Sequence, residues 1–260
     1  MLFGAGYGLR RALARAQSDA GDSLERLATG KRINRASDDP SGMVAVEKLK
    51  VNRTVLDRKI RGWERESTFL GAKDGALSAL GTMLIDLEGV VVSASSTGGL
   101  SNAEVDALLG EADGILQGID HVSRVSVFND QDLLRGYATT DLGSDEGRLS
   151  DLREALRSGE FERAQSIVEG ARDRVVGERG RIGGRLIGLE AERNAAMSAF
   201  ENVSGAISQI EDTDVAAEVS SLVRAQILEE ASVQVMLIER GQAESSLKLL
   251  EGAMDFSRSL

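Results

Sequence analysis

The chain has 260 residues, with 31 Lys and Arg against 42 Asp and Glu, and so carries a formal net charge of −11. Hydrophobic residues make up 42% of it, but aromatic residues only 3%, and Pro40 is its single proline. This composition argues against a β-sandwich, an α/β enzyme or a disordered linker, and it suits long helices that pack through aliphatic side chains. The acidic balance argues against nucleic acid or an anionic membrane as the main partner, because both attract basic clusters.

The absence of cysteine excludes disulfides, thiolate metal sites and cysteine nucleophiles. Residues 1–9 carry no charge, and Arg10, Arg11 and Arg15 interrupt the segment that follows, so a Sec signal peptide is not expected. We also expect no stretch that approaches the roughly 18 uncharged apolar residues of a membrane span. These features predict a protein that is soluble or that leaves the cell by another route.

Apolar residues at alternating steps of three and four predict long helical blocks. The first block ends near Gly30 and has small side chains toward its middle. The second follows Asp38, Asp39 and Pro40, since acidic residues and a proline fit the first turn of a helix. It runs from about residue 43 to 95, on the order of 80 Å, which is longer than one globular core covers. Its seven-residue repeat consists of Leu49, Leu56, Trp63, Leu70, Leu77, Leu84 and Val91.

A third block of about 20 residues ends near Val122. The apolar period then changes, and residues 125–151 indicate short strands and turns. The fourth block starts near Phe161 and keeps its register to about residue 210, with Glu178 and Arg193 as its polar interruptions. Residues 211–214, three of which are acidic, fit a cap for the last helix. That helix has more apolar width than one partner helix needs.

This order predicts an all-α dominated fold, an elongated antiparallel bundle of long helices with a small β-hairpin insert at the tip. We expect a terminal helical region at residues 1–38, a rod at 39–210 with its insert at about 125–150, and a second terminal region at 211–260. The two terminal helices form too narrow a unit to bury their own apolar surface, so we expect them to be disordered in the monomer and ordered by self-association.

Candidate chemical sites are few. His121 is the only histidine, and it is interpreted as a surface or seam residue because no Cys or second His accompanies it. Asp212 and Asp214 form an Asp-x-Asp pair, but the spacing of a calcium loop is missing and a helix cap is favoured. Glycines at 177–188 do not fit a phosphate loop, and they either allow close backbone approach or lower monomer stability. The sequence predicts no catalytic residue, no metal site and no cofactor, and so no enzyme.

Separated motifs along the chain resemble bacterial flagellin. Residues 24–42 read LERLATGKRINRASDDPSG, which is similar to the family pattern ERLSSG-RIN-A-DDAAG. Residues 122–134, VSRVSVFNDQDLL, are similar to its FNG-type turn region, and residues 178–186, ERGRIGGRL, to its QRA-LGA-NRL helix. Residues 201–231, from ENVSGAISQIEDTDV to QILEEA, resemble its NVSE to QIL-QA signature. The motifs are colinear over most of residues 20–250.

The resemblance implies a structural protein, the subunit of the bacterial flagellar filament used for swimming. It implies export through the flagellar type III apparatus without a Sec signal, and an extracellular location. The implied partners are further copies of the chain in a homopolymer, the hook–filament junction and filament cap proteins, and an export chaperone on the carboxy-terminal helix. The terminal helices would form the inner tube and the rod its outer wall. Because only about 25 residues separate Val125 from Asp151, we expect a minimal form without large variable outer domains.

The chain also departs from the family pattern. Residues 1–20 lack the usual Asn-rich start, and AMDFSRSL extends past the usual Leu-Leu-Arg ending. Glu88 stands where the immune-stimulating members have an arginine in RVRELAVQ, so we expect the vertebrate flagellin receptor to respond weakly. Residues 30–40, GKRINRASDDP, are also similar to the hook–filament junction protein, which is the alternative within the flagellum. An intracellular coiled-coil adaptor would explain the heptads but not the motifs at both ends.

The bend after the first helix combines Lys31 and Arg32 with the acidic pair at 38 and 39. It is either a solvated connector or an ion contact between subunits. Together with the apolar residues of the last helix it makes up the predicted subunit interface. This interface consists of Lys31, Arg32, Ile33, Asn34, Asp38, Asp39, Val223, Ile227, Leu228, Val235, Leu237 and Ile238.

Overall fold

The structure, a computed structural model, describes residues 2–96 and 102–258, with side chains at 7–96 and 103–249. Of the two departures from the family pattern at the chain ends, the side chains of residues 1–6 and of AMDFSRSL lie outside these ranges. The chain divides into two compact units. One consists of residues 56–199, and the other of residues 1–55 and 200–260, so the division falls inside two long helices.

Six α-helices and four two-residue strands follow one another in the described ranges. They are α1 (Leu2–Thr29), α2 (Pro40–Ser96), α3 (Asn102–Val125), β1 (Val127–Phe128), β2 (Gln131–Asp132), β3 (Gly143–Ser144), β4 (Gly147–Arg148), α4 (Leu152–Ser158), α5 (Phe161–Glu211) and α6 (Val215–Arg258). A 3-10 turn, Leu149–Asp151, leads into α4. The predicted all-α dominated fold is confirmed, with helix ends close to the expected positions. Helix α4 was not predicted, because seven residues are too few to show a heptad repeat.

Acidic side chains cap two of the long helices, as the sequence predicts. The Asp39 carboxylate accepts a hydrogen bond from the backbone N–H of Gly42 at 2.8 Å, so that Pro40 is the first residue of α2. The Asp214 carboxylate accepts the backbone N–H groups of Ala216 and Ala217 at 2.9 and 3.1 Å. The helix-cap interpretation of Asp214 is therefore confirmed.

The core of the 56–199 unit lies along the predicted seam of α2. The leucines that α2 contributes to it, Leu77, Leu80, Leu84 and Leu87, are all 0% exposed. Helices α3 and α5 and the segment around α4 cover this seam. They contribute Ala112, Ile119, Leu152, Ala164, Ile167, Val168, Ala171 and Val175. The seven-residue repeat is therefore buried toward the end of α2, while Leu56, Trp63 and Leu70 are half-buried.

Ion pairs join α2 to α5 along this unit. They connect Glu66 with Arg185, Lys73 with Glu178, Asp74 with Arg179 and Glu88 with Arg172. From Glu66–Arg185 to Glu88–Arg172 the residue number rises along α2 and falls along α5, so the two helices run antiparallel. The predicted antiparallel pairing of the long helices is confirmed.

The predicted β insert forms two hairpins. In the first, Phe128 pairs with Gln131, and the turn residues Asn129 and Asp130 both have positive φ, 50° and 62°. The ring of Phe128 meets that of Phe69 of α2 edge-on, with centroids 6.1 Å apart. In the second, Ser144 pairs with Gly147.

Glycine has two distinct environments along α5. A Cβ at Gly170 would lie 2.7 Å from the Cβ of Ser144, so the bare helix backbone lets the second hairpin lie against it. By contrast, a Cβ at Gly177, Gly180, Gly183 or Gly184 would meet no atom within 4 Å. Close backbone approach, one of the two explanations offered for the glycines at 177–188, is therefore wrong for this structure.

The other unit contains α1 and α6, which also run antiparallel. The amide of Gln17 donates to the Glu229 carboxylate at 3.0 Å, and Arg26 lies 3.5 Å from Glu218. The buried residues between the two helices have small side chains. They are Ala16, Ala20, Ser23, Ala225 and Ser232. The narrow stripe of small residues predicted in the first helix is thus the seam that packs against α6.

Helix α2 contains an 18-residue window with a mean hydropathy of 1.6 and at most two charged residues. Length and composition alone would let it cross a membrane, so the expectation that no stretch approaches a span is wrong. A third of this window is buried inside the structure. The core helix of a helical bundle passes the same test, and α2 supplies four fully enclosed leucines to such a core.

Candidate self-assembly site

Exposed apolar side chains recur along α6 around the helix, outside the seam of small residues that packs against α1. The six residues predicted there are between 44% and 63% exposed. They are Val223, Ile227, Leu228, Val235, Leu237 and Ile238. Val215, Val219, Val233, Leu247 and Leu249 extend the same exposed set, which we call the α6 apolar face. Large apolar side chains exposed in this number are typical of surfaces that bind a partner.

The α6 apolar face is exposed because α1 contacts α6 through small side chains. Among the described residues of α6, Ala225 and Ser232 are the buried ones, at 4% and 8% exposure. A seam of alanine and serine brings two helices close but covers little of the larger side chains beside it. Helix α1 therefore leaves the apolar width of α6 for other partners, as the sequence predicted.

The bend between α1 and α2 is held by hydrogen bonds within the chain. The Asp38 carboxylate accepts the backbone N–H groups of Asn34 and Arg35 at 3.0 and 2.9 Å. These bonds from Arg35 and Asn34 lower the pKa of Asp38. The amide of Asn34 donates to the carbonyl oxygen of Lys31 at 3.0 Å. Asn34 and Asp38 thus stabilise the turn itself.

The side chain of Ile33 lies inside this unit at 5% exposure. A Cβ at Gly42 would lie 2.8 Å from the Ile33 Cδ1, so Ile33 packs against the first turn of α2 where glycine leaves space for it. The acidic Asp39 caps that same turn. Of the connector residues, Ile33 therefore contributes core packing and leaves little surface for a neighbour.

The bend also pairs with the end of α5. The backbone N–H of Arg32 donates to the Glu211 carbonyl at 2.6 Å, and that of Thr213 to the Gly30 carbonyl at 3.0 Å. The Arg32 guanidinium donates to the Ile210 carbonyl oxygen at 2.7 Å. Because both Arg32 bonds are made inside the chain, a subunit-to-subunit ion contact at this position stays a prediction.

A carboxylate that the sequence interpretation did not single out lies at the centre of this pairing. Glu211 is 6% exposed, and one of its oxygens lies 2.8 Å from the Lys31 ammonium and 3.0 Å from that of Lys50. Burial raises the pKa of Glu211, but the hydrogen bonds from the two lysines outweigh it, so the net pKa is lowered. The same bond to Glu211 raises the pKa of Lys50. We call this cluster the Glu211 latch.

The described residues contain no group of three or more His, Cys, Asp or Glu arranged to hold a metal ion. The carboxylate of Glu88 accepts a hydrogen bond from Arg172 at 2.8 Å and so takes part in the α2–α5 series. Its effect on receptor recognition stays a prediction.

The bacterial flagellin N-terminal helical region matches residues 6–139, and the C-terminal helical region matches residues 165–250. The flagellin of Halalkalibacterium halodurans is 28% identical over 249 residues, which cover 88% of this chain and 90% of that protein. The flagellar filament 30.7 kDa core protein of Treponema maltophilum is 24% identical over 262 residues, with coverage of 88% and 91%.

The flagellin of Escherichia coli O127:H6 is 31% identical over 134 residues, which cover 51% of this chain but 24% of that protein. This chain thus has the length of the shorter relatives, and the stretch between the two family matches holds the second hairpin and α4. The expectation of a minimal form without large outer domains is confirmed. With both helical regions matched in order over most of its length, the chain belongs to the bacterial flagellin family.

Proposed function

We propose that the chain is a structural subunit of a bacterial flagellar filament and that neighbouring copies cover its α6 apolar face. The observation that carries this proposal is the exposed set of large apolar residues on α6. Burying one such side chain contributes about 1.5–3 kcal/mol, so covering the whole set supplies a strong drive for assembly. Family membership supports the filament role, and nothing favours the junction protein or an intracellular adaptor.

Assembly also bears on the order of α1 and α6. Ordering the backbone costs about 1–2 kcal/mol per residue, and the seam of small residues between the two helices buries little area to offset it. Neighbouring copies add that missing burial. We therefore propose that the two terminal helices become stable when the chain assembles.

The flagellar filament is extracellular, and the proposed route to it is the flagellar export apparatus without a Sec signal. An exposed apolar face is prone to aggregation before export. A chaperone that covers α6 would protect this face. At the filament ends, the junction and cap proteins would bind the surfaces that neighbouring copies bind elsewhere. The proposal includes no enzymatic activity, nucleic acid or membrane partner.

Seeded assembly tests the proposal. Purified chain is added to sheared filaments, and filament length is measured by negative-stain electron microscopy. We expect the wild-type chain to extend the seeds and the double variant Ile227→Ser/Ile238→Ser to slow extension by about tenfold or more. Ile187, 72% exposed on the other unit, provides the matched control Ile187→Ser, which should extend seeds normally.

The outcomes separate two claims. A wild-type chain that fails to extend seeds contradicts the filament role. Normal extension by the Ile227→Ser/Ile238→Ser chain, with unchanged helicity by circular dichroism, contradicts the role of the α6 apolar face while leaving the filament role intact.

A further inference from the structure

A groove of about 1170 Å³ lies on the 56–199 unit. Its basic side chains, Arg58, Arg61 and Arg65, recur at steps of three and four on one face of α2. Phe69 lies at one end of this face, where the first hairpin packs against it. We call this surface the arginine groove. Its lining also includes Glu64 and Glu66 of α2 and Phe128 of the first hairpin.

The carboxylates of the arginine groove already have partners. Glu66 pairs with Arg185 at 2.8 Å and Glu64 with Arg193 at 3.4 Å, both across to α5. Arg61 pairs with Asp57 one turn earlier at 3.1 Å. Among the residues that the structure describes, Arg58 and Arg65 have no ion-pair partner, and both are exposed. The groove therefore presents two unpaired guanidinium groups, on residues whose backbone positions are about 10 Å apart along the helix axis.

The second hairpin presents the opposite charge. Its two-residue turn consists of Asp145 and Glu146, which are exposed and whose carboxylates have no ion-pair partner in the described part of the chain. The Ser144 hydroxyl accepts the backbone N–H of Glu146 at 3.2 Å, and the Glu146 carbonyl accepts the Arg163 Nε–H at 3.0 Å. We call this turn the acidic turn.

The acidic turn is fixed on α5, so it need not be ordered on binding. The hairpin backbone lies directly against Gly170, where a Cβ would be 2.9 Å from the carbonyl oxygen of Gly143. A preorganised turn of two carboxylates loses little conformational entropy when it meets a partner.

The arginine groove and the acidic turn lie apart on the same unit. Glu66 of the groove pairs with Arg185, so the groove lies beside residue 185 of α5. The second hairpin packs against Gly170 of the same helix. The fifteen residues of continuous helix between them span about 22 Å, beyond the reach of an arginine side chain. The arginines of the groove and the carboxylates of the acidic turn therefore do not pair within one chain.

We propose that the arginine groove of one copy binds the acidic turn of a second copy. The charges and their number match, since two unpaired guanidinium groups meet two unpaired carboxylates, and such pairs form charge-assisted hydrogen bonds. Because groove and turn are different surfaces of the same unit, the contact is heterologous and propagates from copy to copy. This inference rests on the proposed filament role and adds a contact outside α6.

Charge reversal tests the contact. Seed extension is measured near physiological ionic strength for Arg58→Glu/Arg65→Glu, for Asp145→Lys/Glu146→Lys, and for the chain that carries all four changes. We expect each double variant to extend seeds about tenfold more slowly, because like charges then face each other. The fourfold variant restores opposite charges and should recover most of the wild-type rate.

Two control variants make matched charge changes on exposed positions elsewhere. Lys48→Glu/Lys59→Glu lies on α2 outside the arginine groove, and Asp106→Lys/Glu111→Lys lies on α3. Both should extend seeds within about twofold of wild type. Circular dichroism verifies folding, and Arg58→Gln/Arg65→Gln replaces the groove variant if that one loses helicity.

Normal extension by either double variant, or absence of rescue in the fourfold variant, overturns the proposed contact. Slowing of the same size by the control variants overturns it too, because the effect would then come from net charge. Failure of the wild-type chain to extend seeds contradicts the filament role instead, so the two proposals fail in different ways.

Discussion

The Lys73 ammonium lies 2.5 Å from a carboxylate oxygen of Glu178, at the point where the apolar repeat of α5 is interrupted. The second Glu178 oxygen accepts Arg181 at 2.6 Å. The Lys73 and Glu178 side chains are 20% and 16% exposed, so water screens them only partly. The hydrogen bond from Lys73 lowers the pKa of Glu178 despite its burial. The polar interruption is therefore a neutralised pair inside the α2–α5 seam.

We expect Lys73→Met to destabilise the chain by about 1–3 kcal/mol, because it leaves a half-buried carboxylate without its main partner. The double variant Lys73→Met/Glu178→Met should be close to wild type, since apolar side chains of similar volume fill the seam. Urea denaturation of the monomer, followed by circular dichroism, measures both. A single variant as stable as wild type would show that Lys73 contributes nothing.

The helices could be predicted from the sequence because burial on one face leaves a repeat of three and four in the apolar residues. The seam through Leu77 and Leu84 follows that repeat. The partner of Glu178 could not be predicted. It lies 105 residues away, and many of the 42 acidic residues are available to any lysine until the register of α2 on α5 is known.

The α6 apolar face was predictable because its apolar width exceeds what α1 requires. The environment of the connector was not. Ile33 packs against the first turn of α2, and Glu211 lies next to the backbone bridge between Lys31 and Asp212. A pairing so distant in sequence leaves no periodic signal. The one sequence signal near Glu211 was the group of acidic residues within 211–214, and it indicated a helix cap.

The Glu211 latch should make the unit that contains it sensitive to acid. The folded-state pKa of Glu211 is lowered from its ordinary value of 4.5, so its contribution to stability is present above about pH 4.5 and is lost as the pH falls through the folded pKa. We expect the wild-type chain to lose more stability between about pH 6 and pH 3 than Glu211→Gln does.

Denaturation midpoints across this pH range measure the difference. The Glu211→Gln variant should be less stable than wild type near pH 6, because the change weakens the bonds to Lys31 and Lys50. Its denaturation midpoint should then vary less with pH. Glu230→Gln, on an exposed residue of α6, is the matched control and should follow the wild-type curve. Parallel curves for wild type and Glu211→Gln would refute the latch.

The open glycines of α5 offer room for stabilisation. A Cβ at Gly180 or Gly184 meets no atom within 4 Å, and both lie in a continuous helix. Glycine inside a helix costs about 0.5–1 kcal/mol relative to alanine, so Gly180→Ala and Gly184→Ala should each stabilise the monomer by about that amount.

Gly170→Ala is the matched control in the same helix. Its Cβ would press against Ser144, so it should destabilise the chain instead. Thermal unfolding of the three variants measures these opposite effects. Destabilisation by Gly180→Ala would mean that its surroundings are less open than the structure shows.

The turn of the first hairpin has an unfavourable backbone conformation that a single substitution can relieve. Asn129 and Asp130 have φ of 50° and 62°, the left-handed pair typical of a two-residue hairpin turn in which glycine is preferred at the second position. Asp130 adopts this conformation at a cost that glycine avoids. We expect Asp130→Gly to stabilise the monomer by about 0.5–1 kcal/mol in urea denaturation. Asp145, in the second hairpin, is not among the residues with positive φ, so Asp145→Gly should bring no gain. Equal gains in stability from both substitutions would show that the loss of a carboxylate is the cause, and not the relief of an unfavourable backbone conformation.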